Sequence, residues 1–358
     1  MKPLVSALSL VFLMFQPKAA LTDHPRGDDM EIYYINLKTS ADRDTNMRRH
    51  LKKFPYPFFR VDAVSIGEYE HFDLRLYRHP CETVVVETPL LFHTRFLDFK
   101  YMRINRLCIA PRNEIKEIVV TLSHLKAVYT ALMSNNSYDY ALILEDDMTL
   151  QFEVDFKSFI QTLPNDFGAL QLFVINKSIA GGLLRFFLKN VSSVSWKPAY
   201  WSAGGYIINK PVLRKELAGF LRQKGDTLDV DLLAGSDRKS PIFMRGKHDS
   251  VNTSDYYVCY PKMCCDGLRF IRKFPCVLSK DVAADYYIYS LSFGNTYTTT
   301  IPILKGSSHA LNSTISMNHS LTGGTHLRKA ARIINRLLTG KLPLPPFLKI
   351  RSDLIEES

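Results

Sequence analysis

The stretch ALILEDDMTL, residues 141–150, runs from four apolar residues, Ala141 to Leu144, straight into three carboxylates, Glu145, Asp146 and Asp147. A short apolar run of this kind reads as a strand buried on both faces. In an open α/β sheet, ligands bind beyond the carboxyl ends of the strands, where the connecting loops converge. On an extended backbone Glu145 and Asp147 project to one side and Asp146 to the other. Two carboxylates on one side repel each other and lose hydration on burial, so packing alone gives no reason for them. A hard divalent cation, Mn2+ or Mg2+, does give one, and such a cation also binds diphosphate. The plain alternative is three solvated carboxylates at the start of a loop.

The neighbouring sequence places this strand in an alternating pattern. EIYYINL, Glu31 to Leu37, is aromatic and β-branched over strand length, and it gives way to a helix carrying Met47 and Leu51, with Ser40 or Asp42 as its cap. Leu122, Leu125, Val128, Tyr129 and Leu132 fall at helical spacing, with Thr121 or Ser123 able to cap. FGALQLFVIN (167–176) reads as a further strand, and GGYIINKPVL (204–213) as a glycine-entered strand followed by a helix beginning near Pro211. Strands alternating with helices predict an α/β layer fold with a largely parallel sheet. Residues 54–115 show no clean period and read as irregular or inserted.

Composition sets the outer limits. The chain has 358 residues, 46% hydrophobic and 23% charged, enough to bury a substantial core. Its net charge of +11 suits anionic partners, but the basic residues come in short clusters and no helix-turn-helix, RRM or zinc-finger spacing accompanies them, so nucleic acid is not expected. Residues 1–21 combine Lys2, an apolar run from Leu4 to Phe15 and a small-residue end at Ala19-Ala20, the form of a signal peptide or signal anchor. Sequons at Asn135, Asn176, Asn190, Asn252, Asn312 and Asn318 agree with a secretory route, since about two would arise by chance. The expected location is therefore the endoplasmic reticulum or Golgi lumen, with membrane association through the first segment left open. Cys259, Cys264, Cys265 and Cys276 lack paired metal-ligand spacing and read as one or two disulfides of undetermined pairing, with Cys81 and Cys108 a further pair or two buried thiols.

Four segments taken together, YYINLKTSADRDTNMRRHL, LSHLKAVYTAL, ALILEDDM and SAGGYIINKPVL, resemble glycosyltransferase family 25, the group of lipooligosaccharide and collagen galactosyltransferases. The resemblance covers mainly residues 31–50, 121–150 and 199–215. It implies a GT-A-like, Rossmann-type nucleotide-sugar-binding domain with a mostly parallel central sheet and an inserted cysteine-containing region. The implied boundaries are 29–320 for that domain and 321–358 for a basic C-terminal helix and tail.

The implied chemistry is inverting transfer of a hexose, galactose or glucose, from a UDP-sugar to a hydroxyl on a glycan or glycoprotein. Asp147 would bind the metal and Glu145 the metal or the ribose. Asn36, Leu37 and Arg43 would lie by the nucleotide, with the Arg43 guanidinium facing phosphate or uracil, and Ser123 and His124 would lie close to the donor pocket. Read as isolated residues, Arg43 is a solvated helix-start residue, Ser123 a cap and His124 a half-buried polar contact. Val119 stands where the family carries a glycine, and Ser202-Ala203 where it carries Gly-Thr, next to the expected sugar site.

Acceptor deprotonation needs one carboxylate. Asp229 and Asp231 in TLDVDLL and Asp285 in VAADYYIY are the candidates; the resemblance selects Asp285 with Asp231 behind it, and an N-cap is the plain role for Asp285. Trp196, Tyr200 and Trp201 offer a sugar platform or simply core aromatics, and His319 is a more distant candidate near the metal. A catalytically inactive relative acting as a glycan-binding or adhesion module is the rival reading. A metal phosphohydrolase is disfavoured, because no His-rich motif accompanies the carboxylates.

Overall fold

The structure is a computed structural model, and it describes residues 30–65, 82–89, 101–109, 115–197, 200, 202–217, 221–224, 227–231, 284–291, 295–306 and 331–350. The expected signal segment, Trp201, the cysteine group 259–276 and His319 lie outside the described residues.

In chain order the strands are β1 (Met30–Asn36), β2 (Phe58–Asp62), β3 (Glu82–Pro89), β4 (Tyr101–Ile109), β5 (Tyr140–Glu145), β6 (Met148–Leu150), β7 (Glu153–Val154), β8 (Ala169–Gln171), β9 (Ser193–Ser195), β10 (Gly205–Asn209), β11 (Leu221–Lys224), β12 (Thr227–Asp231), β13 (Thr296–Thr299), β14 (Leu304–Gly306) and β15 (Leu348–Lys349). The helices are α1 (Ala41–Leu51), α2 (Ile115–Met133), α3 (Phe156–Ile160), α4 (Lys177–Phe187), α5 (Lys210–Leu217), α6 (Ala284–Ser290) and α7 (331–338).

A seven-stranded sheet in the order β2-β1-β5-β10-β8-β13-β9 organises the described chain. β2, β1 and β5 are parallel, β10 is antiparallel to both its neighbours, and β8 and β13 are parallel again. The α/β class expected from the alternation is what the chain forms, with most strands sharing one direction; β10 and the edge strand β9, antiparallel to β13, are the departures within the sheet. Polar segments on either side of an apolar run do not record which way a strand enters a sheet.

Both faces of the central strands are covered, which is why β1, β5 and β10 carry charged or amide side chains only at or next to their ends. Alternation along β1 sends Tyr33 and Ile35 to one face with Ala141 and Ile143 of β5, under α2, α5 and α6. Met30, Ile32 and Tyr34 go to the other face with Leu142 and Leu144, against Met47 and Leu51 of α1, Phe156 and Phe159 of α3, and Ile333, Ile334 and Leu337 of α7. The basic C-terminal helix is thus a packed element, and β15 beyond it pairs with β7.

Three local readings differ from the structure. FFRVD, taken as irregular, is β2, registered from Phe58 against Ile32 to Asp62 against Asn36. α2 begins at Ile115, upstream of Thr121 and Ser123, so neither is its cap. FGALQLFVIN yields only the three-residue β8; Leu172 still bonds to Gly205 and Ile303, and Phe173 and Val174 are buried beyond the strand. A second sheet, in the order β11-β12-β4-β3, places Asp231 at the end of β12 opposite Asn105.

Candidate active site

β1 and β5 lie side by side and parallel, with Ile35 opposite Glu145, so both strands deliver their carboxyl ends to one place. The chain leaves β1 through α1 toward β2 on one side, while β5 lies on the other. That divergence is a topological switch point, where an open α/β sheet leaves a crevice. Asn36 closes β1 there, and Glu145 closes β5.

The strand does not continue in extended form past Glu145. Asp146 and Asp147 form a turn into β6, so the simple alternation of the three carboxylates does not hold. Asp146 is turned to the α1 side: Arg43 Nη1 is 2.9 Å from its Oδ1, and the Asn36 amide donates to its Oδ2 at 2.6 Å. Asn36 also donates to the Ser40 carbonyl at 3.2 Å. Because the amide nitrogen serves two acceptors, Asn36 Oδ1 is fixed as the free oxygen, and it is buried with no hydrogen-bond partner. Ser40 precedes α1 but makes no side-chain cap; its hydroxyl accepts from Arg43 Nη2 at 3.1 Å. The β1–α1 turn, including Leu37 whose carbonyl accepts from the Ser40 amide, is therefore locked to the end of β5.

The three carboxylates differ in environment. Glu145 is the accessible one, its side chain 33% exposed. Asp146 is almost buried, and burial raises its pKa to about 6 against the opposing pull of Arg43 and the Asn36 amide. Asp147 is 7% exposed, and burial first, then the charges of Glu145 and Asp146, raise it to about 7.

Glu145 is held from behind. His124, buried on α2, brings Nε2 to 3.1 Å from Glu145 Oε1, and its Nδ1 is 3.1 Å from the hydroxyl of Tyr206 on β10. An ionised carboxylate only accepts, so Nε2 is the nitrogen that donates to Glu145, while the Tyr206 hydroxyl, able to donate or accept, holds Nδ1 on the other side of the ring. Tyr206 packs edge-on against Tyr289 of α6, with ring centroids 5.8 Å apart. The Glu145 amide donates to the Gly204 carbonyl at 3.0 Å. Gly205 is required by space: a Cβ there would run into Leu304 and crowd Leu144.

Asp285 lies buried in the first turn of α6, inside the helix and not at its cap, and its Oδ2 accepts from the Ser202 amide at 3.1 Å. Ser202 has φ 144, in the region that ordinarily belongs to glycine. Its carbonyl accepts from Tyr289 at 2.8 Å and from Gln171 at 2.9 Å, and its hydroxyl accepts from the Gly204 amide at 3.1 Å. The residue that replaces glycine in the family pattern is thus clamped on three sides.

Of the residues singled out in the sequence, the structure joins Asn36, Arg43, His124, Glu145 and the Asp146-Asp147 turn. Ser123 is engaged elsewhere: its hydroxyl donates to the Val119 carbonyl at 2.6 Å and accepts from the Val64 amide at 2.9 Å, tying α2 to the chain after β2. Trp196 and Tyr200 are buried, Trp196 donating to the Tyr200 carbonyl and packing on Tyr289. Sequence reasoning missed Tyr206, Gln171 and Tyr289, for which an aromatic or polar residue inside an apolar segment was the only signal.

Among the described residues no group of three or more His, Cys, Asp and Glu side chains converges as a metal cage. The donor chemistry nevertheless suits a hard cation. Asp147 and Glu145 offer carboxylate oxygens at a turn where three carboxylates stand against the one guanidinium of Arg43, and Asn36 Oδ1 is a buried amide oxygen without a partner.

An acidic turn at the switch point of an α/β sheet is shared by many activities, and it is the sequence that supplies the family. The family model described as glycosyltransferase family 25 (LPS biosynthesis protein) matches residues 29–231, more than half of the chain, and the chain belongs to that family. Among solved structures, it is similar to a mutant Drosophila β1,4-galactosyltransferase 7 in complex with manganese, UDP-Gal and xylobiose, at 10% identity and a TM-score of 0.23. That similarity spans 55% of each chain, about half the length of the other protein, and no residue role is carried across from it. No curated protein matches the chain. Among the described residues no helix is long and apolar enough to cross a membrane.

Proposed function

We propose that the protein is a metal-dependent, inverting hexosyltransferase of the secretory pathway, moving galactose or glucose from a UDP-sugar to a hydroxyl of a glycan or glycoprotein. The observation that carries this reading is the buried Asp147 beside Glu145 at the β1/β5 switch point, a concentration of negative charge that folding disfavours and that a cation would relieve. Family membership supports the same reaction class.

Asp147 and Glu145 would hold Mn2+ or Mg2+, with Asn36 Oδ1 as a further oxygen. When bound, the cation supplies charge neutralisation for the departing diphosphate. His124 and Tyr206 fix the direction of the Glu145 carboxylate before any ligand arrives, which spares reorganisation during the reaction. Arg43 departs from its expected role in this reading: its charge is already matched by Asp146, so it orders the β1–α1 turn around the nucleotide instead of meeting phosphate head-on. Asp285 is the proposed base for the acceptor hydroxyl, and its hold on the Ser202 amide keeps the carboxylate facing the β10 entry. Asp231 is the alternative base.

The test is a panel of UDP-sugars with the purified protein, with and without Mn2+, reading UDP release and sugar transfer. Metal-dependent turnover with one or two of the sugars is expected, and Asp285→Asn lowers kcat at least about 100-fold with KM for the donor little changed. Binding of UDP without turnover of any sugar would replace this reading with that of an inactive, glycan-binding relative.

A further inference from the structure

We propose that Asn190 carries an N-linked glycan whose first sugar covers an apolar patch formed by Phe186, Leu188 and Val191. The inference is independent of the transfer activity and combines two separate observations.

The first is the patch. Phe186, Leu188 and Val191 are 47%, 55% and 37% exposed, three of the four large apolar side chains that stand out among the described residues. They fall within six residues, at the end of α4 and in the turn after it, a concentration of exposed apolar side chains in one short stretch where a single scattered one would need no explanation. The second is the sequon Asn190-Val191-Ser192 inside that cluster, which nothing in the proposed reaction uses.

The backbone brings the two together. The Asn190 amide donates to the Phe187 carbonyl at 2.8 Å, and the Val191 amide reaches back to the Phe186 carbonyl at 3.1 Å. This Schellman pattern places Asn190 in the left-handed conformation, φ 60, just past the helix, and sets Val191 against Phe186. Asn190 is exposed, and the exposed Phe186, Leu188 and Val191 lie within four residues of it in the chain. The pyranose face of an N-acetylglucosamine is itself apolar and stacks on such a surface. Asparagine also tolerates a left-handed φ, so the backbone alone accounts for the residue but not for the sequon or the patch.

The modification balances simply. The Asn190 side-chain nitrogen attacks the anomeric carbon of a lipid-linked oligosaccharide diphosphate; the nitrogen–carbon bond forms, the sugar–phosphate bond breaks, one amide proton is lost to solvent, and the lipid diphosphate leaves.

The experiment expresses the full chain in a eukaryotic secretory host and maps occupancy by peptide mass spectrometry after enzymatic deglycosylation in heavy-oxygen water. Asn190 is expected to be modified in most molecules; Ser192→Thr retains the modification and Ser192→Ala loses it. Trimming to a single N-acetylglucosamine leaves binding of a hydrophobic dye low, complete removal raises it about twofold or more, and a Phe186→Ser/Leu188→Ser variant abolishes that rise. An unmodified Asn190 overturns the proposal, whether or not Asn135, the other well-exposed sequon of the described chain, is occupied. Equal dye binding before and after complete removal overturns the packing of sugar on the patch.

Discussion

Asp147 is ionised at a cost. Its pKa rises from 3.8 to about 7, and the causes are burial and the charges of Glu145 and Asp146. Between those pH values the folded metal-free protein keeps a proton that the unfolded chain has released. Its stability therefore falls as pH rises from about 4 to about 7. Asp147→Asn removes both the repulsion and that slope. In urea unfolding with chelator present, the variant is expected to be more stable than the parent by about 1–3 kcal/mol at pH 8, and nearly level with it at pH 4. Sugar transfer by the same variant falls at least about 100-fold. A residue whose removal stabilises the fold while abolishing activity is one kept for function. Loss of stability with activity intact would make Asp147 a packing residue.

Element by element, the site depends on strands that meet from distant parts of the chain. Tyr206 reaches His124 because β10 runs antiparallel beside β5, with Tyr206 opposite Ile143 and Gly205 opposite Leu144. Tyr206→Phe preserves the packing and removes the hydroxyl that holds His124 Nδ1. The expected result is about 1–3 kcal/mol of lost stability from the unpaired buried nitrogen. Transfer activity drops about 10- to 100-fold, mainly in kcat, because Glu145 is no longer held in one orientation. Thermal unfolding and steady-state kinetics separate the two effects; unchanged kcat would confine Tyr206 to the core.

This contact also marks where reading the sequence stopped working. β1, α1, β5 and the β10–α5 pair are local patterns, visible as apolar runs, helical spacing and glycine entry. The acidic turn was visible for the same reason. The His124–Tyr206 pair, the Asp285–Ser202 bond and the pinning of Arg43 by Asp146 join residues 82, 83 and 103 positions apart, and no local period encodes them. Asp146 was given no partner, because the turn that brings it to Arg43 and Asn36 leaves no local pattern. β2 was overlooked because Arg60 and Asp62 interrupt its apolar residues, which an edge position permits.

Across the whole molecule the sheet divides its labour by end. The carboxyl ends of β1 and β5 hold the charged site, while the amino end of β1 holds a second buried ionic group with a different task. Glu31 and Lys210 are fully buried and 2.6 Å apart, and Asn136 donates to the other Glu31 oxygen at 2.8 Å. Arg214, in the last turn of α5, fastens that helix to the carbonyls of Leu132 and Ser134 at the end of α2. Burial lowers the Lys210 pKa and the Glu31 charge opposes that shift, so the pair stands only while both members are present. Lys210→Met leaves a buried carboxylate unpaired and is expected to cost about 3–5 kcal/mol in urea unfolding. Glu31→Leu with Lys210→Met removes both charges and recovers most of that loss. Because the pair lies at the opposite end of β1 from Asn36, turnover per folded molecule stays within about twofold of the parent in both variants when assayed well below their unfolding temperatures. A fall in kcat comparable to that of Tyr206→Phe would instead mean that the ends of the sheet are coupled.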